Sequence, residues 1–318
     1  MGQIQSFAYN VVRTPETAPP LDTRVVDVAT CRYDIPTRTD MAVCFVFFNP
    51  ANSKRMVMNY FYTVEKLRLA KIPYYTIELV FDNAKPELKD AFHVRSRSVL
   101  FHKESLCALL EKRVPCCYKK LLFLDADIVF GKPGWYDEVS QLLNTYEIIQ
   151  PFSTCMWLDS TYTHCVQVRH SVAYMNRSTT YNPTYHPGFG WAFQRKWFKE
   201  IGFYTYGITG SGDTLSAAAW LGVKFSPTYL RQAFQPSYTE YSQMVQPKLA
   251  CATGTVYHLW HGSVKNRKYV DRHRMVEGIR DVRSILETNE VGVFELKDKV
   301  VEAKMRAYFL EREDDGVV

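Results

Sequence analysis

Apolar positions along this chain fall into short unbroken runs that alternate with stretches of helical spacing. Met41 to Phe48 is continuously apolar and stops at Asn49-Pro50, the pattern of a buried strand ending in a turn. Asn52 or Ser53 can cap the helix that follows, in which Tyr60, Phe61, Val64 and Leu67 recur on one face. Tyr74 to Phe81 predicts a second strand. Glu104 to Arg113, with Leu106, Leu109 and Leu110 together, predicts a helix feeding a further apolar run from Leu121 to Leu124. Pro133 to Leu143 predicts another helix and Ile148 to Phe152 another strand. Such alternation predicts an α/β fold with a mostly parallel central sheet flanked by helices.

Outside that alternation the pattern weakens. Residues 1–40 carry Pro15, Pro19, Pro20 and Pro36 with little periodicity, which predicts an N-terminal arm on the surface. Thr154 to Tyr185 reads as a long, irregular polar-aromatic insertion, and loops of that length usually serve binding. Between Arg272 and Glu311 two amphipathic stretches predict packing helices. One runs through Met275, Ile279, Val282 and Leu286, the other through Val300, Val301, Met305 and Phe309.

Composition narrows the class. The chain has 318 residues, 47% hydrophobic and 23% charged, enough to bury a large core. No apolar run approaches a bilayer span and no secretory signal is visible, so a cytoplasmic location is expected. The eight cysteines form no Cys-x-x-Cys pair and several lie in apolar segments, which predicts free thiols; the Asn176-Arg177-Ser178 sequon then accepts no glycan. A net charge of +6 favours an anionic small substrate or a membrane surface, and no nucleic-acid motif is present. Met1-Gly2-Gln3-Ile4-Gln5-Ser6 fits the pattern for myristoylation of Gly2, which alone gives only marginal, reversible membrane contact.

The chemistry concentrates in three segments. The run Lys119 to Phe130 contains Asp125 and Asp127, and charged side chains are unwelcome inside a buried strand. The pair therefore belongs at the strand's carboxyl end, where hard oxygen ligands suit Mn²⁺ or Mg²⁺ against a diphosphate. His186 to Phe193 and Gly207 to Asp213 place glycines among aromatics, which suggests backbone pressed against a flat, hydroxylated ligand; Asp213 arrives at the start of a helix. Gly190, Trp191, Gly212 and Asp213 are the residues expected to border that ligand. In Tyr257 to Tyr269, strand alternation would put His258 and His261 on opposite faces, one in the site and one structural. His261 is the favoured ligand, because Gly262 lets the chain turn closely around a diphosphate. Lys265 or Arg267 can stabilise the diphosphate's charge.

Taken together, Leu124-Asp125-Ala126-Asp127, Gly188-Phe189-Gly190-Trp191-Ala192-Phe193, Gly210-Ser211-Gly212-Asp213 and His258-Leu259-Trp260-His261-Gly262 resemble the metal-dependent nucleotide-sugar glycosyltransferases of the GT-A fold. The resemblance covers about Met41 to Tyr269, rests on the order and spacing of the set, and fits bacterial or large-DNA-virus enzymes best. It implies a nucleotide-binding half over 41–130, an acceptor half over 131–271 and a C-terminal helical extension over 272–318. It further implies that Asp125 and Asp127 hold Mn²⁺ (or Mg²⁺), that His261 or His258 completes the metal shell, and that Asp213 contacts the acceptor and can serve as base. The donor, a UDP- or GDP-sugar, would lie against Asn49, Pro50, Arg55, Lys103 and Ala126 as well as Lys265 and Arg267. Lys103-Glu104 stands where related sequences carry a basic-acidic pair near the donor sugar. A carbohydrate or glycoprotein is the implied acceptor. Two other readings compete: a non-catalytic, membrane-tethered carbohydrate-binding or scaffold protein on the same fold, and a nucleotidyltransferase. The latter's glycine-rich basic loop after the first strand is absent, since Asn49-Pro50-Ala51 stands there.

Overall fold

The computed structural model describes residues 25–175, 179–225, 230–263 and 265–316. Gly2 and the Asn176-Arg177-Ser178 sequon lie outside the described residues. The chain opens with β1 (Met41–Phe48), α1 (Lys54–Leu69), β2 (Tyr74–Phe81), β3 (Phe92–Ser96), α2 (Lys103–Glu111) and β4 (Lys120–Leu124). β5 (Ile128–Phe130), α3 (Trp135–Leu142), β6 (Ile148–Gln150), β7 (Thr154–Leu158), β8 (Cys165–His170) and α4 (Val172–Met175) follow. Next come β9 (Gly190–Gln194), α5 (Arg195–Glu200), α6 (Gly212–Trp220), α7 (Gln235–Met244), β10 (Leu249–Cys251) and β11 (Thr255–His258). The hairpin of β12 (Leu286–Thr288) and β13 (Phe294–Leu296) precedes α8 (Lys299–Leu310).

Seven strands form the main sheet in the order β10-β6-β9-β4-β1-β2-β3. Only β9 runs against its neighbours, so the sheet is mostly parallel. Alternate residues of β1 and β4 enter opposite cores. Met41, Val43, Phe45 and Leu122 pack with Tyr60, Val64 and Leu67 of α1 and Trp135 and Val139 of α3. Ala42, Cys44, Leu121 and Phe123 pack with Leu106 and Leu110 of α2, Leu215 of α6 and Tyr238 of α7. A sheet covered on both faces requires apolar side chains at consecutive positions, which is why these strands read as unbroken runs.

A second sheet, β5-β11-β7-β8, stands beyond the carboxyl end of β4. It corrects the irregular insertion expected over Thr154 to Tyr185, most of whose first half is the β7–β8 pair. Three further expectations change. Phe61 of α1 is 51% exposed and lies off the buried face. The stretch from Met275 to Leu286 forms short 3₁₀ turns at Asp271–Val276 and Val282–Ile285 that run into β12, with Gly278 in the left-handed region at φ +84° between them. Of the expected helical extension, α8 is the one regular helix among the described residues; Val301, Met305 and Phe309 face inward while Val300 is exposed. Cys44, Cys107 and Cys155 are buried free thiols, as expected, whereas Cys116 and Cys117 are free but exposed. No helix of the described residues is long and apolar enough to cross a membrane.

Candidate active site

β4 stops at Leu124, so Asp125, Ala126 and Asp127 emerge at the carboxyl end of a central strand, where open α/β sheets bind ligands. The Asp125 N–H donates to the Phe189 carbonyl and the Leu259 N–H to the Asp127 carbonyl, each at 2.8 Å, which ties this turn to both sheets. Beside it opens a cleft of about 500 Å³ whose walls include Pro50, Lys103, Glu104, Asp213, His258 and Arg267.

On one wall, Asp127, His258 and His261 offer three ligand atoms that all lie within 4.8 Å of one another. Asp127 Oδ2 is 2.8 Å from His261 Nε2 and 3.5 Å from His258 Nε2. Asp127 Oδ1 is buried and makes no hydrogen bond among the described residues. A buried carboxylate oxygen without a donor is costly unless something else pairs with it. The two imidazoles therefore do not divide between site and scaffold as strand alternation suggests. β11 ends at His258, the alternation ends with it, and the turn through Leu259 and Trp260 brings His261 back to the same carboxylate.

Burial alone would raise the Asp127 carboxyl, but His258 and His261 outweigh it and hold it well below the usual carboxylate range. Burial pushes His258 down to about 4, leaving its imidazole neutral, the form that ligates metals, at neutral pH. These donors fit a divalent cation. Arg267 also reaches this point, with Nη2 2.7 Å from His261 Nε2, so the guanidinium must move aside for that nitrogen to ligate.

Asp125 stands apart from the trio. Its carboxylate is ion-paired with Lys103, so the candidate ligand set is one carboxylate with two imidazoles instead of two carboxylates. Burial would lower Lys103, but Asp125, Asp213 and Glu104 together raise it, and the ammonium stays charged between them. Asp213, in the first turn of α6, accepts through Oδ1 from the Thr214 N–H at 2.7 Å and from its hydroxyl at 3.3 Å. Its Oδ2 lies beside Gly188, where a Cβ would come within 2.6 Å of that oxygen and 3.1 Å of His186 Nε2.

Other expected site residues serve the scaffold or lie outside the cleft. Asn49 is buried in its turn, accepting from the Ser53 N–H and donating to Glu87 and the Ser53 carbonyl. Arg55 stacks over the Tyr162 and Trp260 rings and donates to the Tyr162 hydroxyl, away from the cleft. Lys265 is exposed. Trp191 is 2% exposed and packs edge-on against Trp220, and Gly190 lets β9 approach Leu124, so neither faces an acceptor. Gly212 makes room for the Glu104 carboxyl, which a Cβ there would meet at 2.4 Å. Gly262 turns not around a ligand but against the C-terminal tail, where a Cβ would be 2.8 Å from the Glu313 carbonyl.

Asp314, from that tail, carries no sequence signal of its own, yet its Oδ1 is 3.3 Å from His261 Nδ1. Burial would raise its carboxyl, yet His261 and Arg312 hold it below the ordinary range. Two more residues line the cleft without a role expected from sequence: His186, whose Nε2 is buried without a hydrogen bond among the described residues, and Arg272, stacked on Phe101 and Tyr269. The glycines at 188 and 262 were the available signals, since each marks a close approach.

Glu104 gives a pH-dependent prediction. Burial raises its carboxyl from 4.5 to about 7. Below 4.5 both folded and unfolded chains hold this proton; between 4.5 and about 7 the unfolded chain releases it first, so the group's contribution to stability is lost across that window. At about 1.4 kcal/mol per pH unit the loss approaches ~3 kcal/mol. Glu104→Gln is expected to flatten that segment of a stability–pH curve measured by urea unfolding; an unchanged slope would place the titration elsewhere.

No family model matches the sequence, and no curated protein matches it. Solved structures with some likeness include the catalytic domain of Drosophila β1,4-galactosyltransferase 7 in complex with xylobiose. It is 10% identical, with 84% of this chain and 98% of that one covered at a TM-score of 0.40. Another is glucosyl-3-phosphoglycerate synthase from Mycobacterium tuberculosis in complex with Mn²⁺, uridine diphosphate and phosphoglyceric acid. It is 11% identical, with 76% of this chain and 80% of that one covered at a TM-score of 0.36. Likeness at this level carries no argument about chemistry.

Proposed function

We propose that this chain is a metal-dependent glycosyltransferase that moves a sugar from a nucleoside-diphosphate donor to a hydroxyl acceptor. The observation that carries the reading is the convergence of Asp127, His258 and His261 at the mouth of the central sheet, with a buried Asp127 oxygen that has no partner among the described residues. Asp213 and Lys103 line the same cleft. Asp127, His258 and His261 would hold the cation. Two imidazoles favour Mn²⁺ over Mg²⁺, which prefers oxygen ligands and dehydrates reluctantly. When bound, such a cation stabilises the negative charge that develops on a leaving diphosphate.

The remaining roles fall to the chain itself. Pro50 and Ala126, at the ends of β1 and β4, border the donor. Arg267, displaced from His261, turns its charge to the diphosphate. Lys103 holds Asp125 and lends charge to the donor side. Asp213, anchored through Oδ1, presents Oδ2 to the acceptor hydroxyl and takes its proton. A cytoplasmic location and a carbohydrate acceptor belong to the same reading.

The deciding experiment is a screen of UDP- and GDP-sugars for slow hydrolysis without acceptor, with Mn²⁺ and with excess chelator. Hydrolysis of one donor that vanishes in chelator is expected. A chain that binds and hydrolyses none of them would instead be a non-catalytic member of its fold.

A further inference from the structure

His261 has two nitrogens, and only one of them is needed to ligate. Nε2 faces Asp127, while Nδ1 faces Asp314 Oδ1 at 3.3 Å. Asp314 is 4% exposed, comes from the tail beyond α8, and also accepts from Arg312 Nη2 at 3.0 Å. A buried carboxylate is expensive unless it is paired and hydrogen-bonded.

The tail is fixed on both sides of Asp314. Before it, the Glu313 carbonyl rests on Gly262, whose φ of +77° and missing Cβ allow the approach, and the Glu313 side chain accepts from Asn266 at 3.0 Å. After it, Asp315 caps α1, accepting from the Ser53 hydroxyl and the Arg55 N–H, each at 2.7 Å. Asp314 is thereby aimed at a single ring edge. Besides Asp127 and Asp314, Arg267 also faces that ring, its Nη2 3.1 Å from Nδ1 and 2.7 Å from Nε2.

We infer that Asp314 is a positioning residue of the metal centre. Its carboxylate accepts the Nδ1 proton of His261, which fixes the ring's tautomer and orientation and leaves the Nε2 lone pair for a divalent cation shared with Asp127 and His258. Metal-ligating histidines are ordinarily held in this way by an outer carboxylate, which also raises the basicity of the ligating nitrogen. The C-terminal tail is then part of the site, although it lies 187 positions beyond Asp127 in the chain. The inference rests on the metal reading above.

The test titrates Mn²⁺ alone into the full chain, following the free ion by electron paramagnetic resonance. Wild type is compared with Asp314→Asn, Asp314→Ala and Asp315→Ala, and each variant's melting temperature is recorded. Asp314→Ala is expected to weaken Mn²⁺ about 10- to 100-fold, the usual consequence of losing an outer partner. Asp314→Asn should weaken it less, because an amide oxygen keeps the shape and still accepts from Nδ1–H. Asp315→Ala, which loosens the tail without touching His261, should lower the melting temperature and leave Mn²⁺ affinity within about threefold, well short of that outer-partner loss. The ¹⁵N shifts of His261 should report Nδ1–H in the wild type and a mixture in Asp314→Ala. Wild-type affinity in both Asp314 variants, or an equal loss in Asp315→Ala, overturns the inference alone. A wild-type chain that takes up no Mn²⁺ overturns it together with the metal centre beneath it.

Discussion

Asp127→Asn is expected to abolish Mn²⁺ binding and to lower sugar transfer by at least about 100-fold, with the fold intact by circular dichroism. Asp127 is the carboxylate on which both imidazoles converge, and its Oδ1 is buried without a donor among the described residues. It is held well below the usual carboxylate range, so it is fully ionised at neutral pH and supplies the one formal negative charge of the trio. Asparagine keeps the shape and removes that charge, leaving a neutral amide and two imidazoles to attract a divalent ion. Asp125→Asn should be milder for metal affinity, since Asp125 already spends its charge on Lys103. The measurements are Mn²⁺ calorimetry and turnover on whichever nucleotide sugar the screen identifies. Full activity of Asp127→Asn, or of the wild type in excess chelator, would remove the cation from the proposal.

Much of the frame was legible because it is written locally. β1, β2, α1, α2 and β4 each carry a hydrophobic period that their own residues complete, and the emergence of Asp125 and Asp127 at a strand end follows from the cost of burying charge in that strand. What failed depended on partners far along the chain. β8 is a half-buried strand carrying Gln167, Arg169 and His170; it becomes a strand by pairing with β7, which pairs in turn with β11, about a hundred residues later. Gly190 and Trp191 looked like a ligand platform because a glycine beside a large aromatic marks close approach. The approach is real, but it is made by Leu124 and Trp220 from inside the core.

The histidines show the limit of periodicity most directly. Alternation holds only while a strand lasts, and no signal within Tyr257 to Gly262 announces that β11 stops at His258. Asp314 was less legible still. The five consecutive charged residues Glu311 to Asp315 carry no hydrophobic period, and only the seating of Glu313 on Gly262 turns one of them toward an imidazole.

Asp213→Ala is expected to separate the two halves of the reaction. It should bind Mn²⁺ and nucleotide sugar as the wild type does, and hydrolyse the donor at a similar slow rate, yet transfer to acceptor about 10²- to 10⁴-fold more slowly. The separation follows from position. Asp213 lies outside the Asp127, His258 and His261 trio, with Lys103 between its charge and that of Asp125. Its Oδ1 is committed to Thr214, so Oδ2, beside Gly188, is the oxygen free to meet a hydroxyl. As an acid in the first turn of α6 it also favours that helix, but such an effect is worth only about 0.3–1 kcal/mol, too little to unfold the domain. Asp213→Asn, which keeps the Thr214 contact and loses the base, should match the alanine variant in transfer and exceed it in melting temperature. Collapse of donor binding in either variant would move Asp213 to the donor side. Transfer at the wild-type rate would leave it as a first-turn acid of α6, with the acceptor's proton going elsewhere.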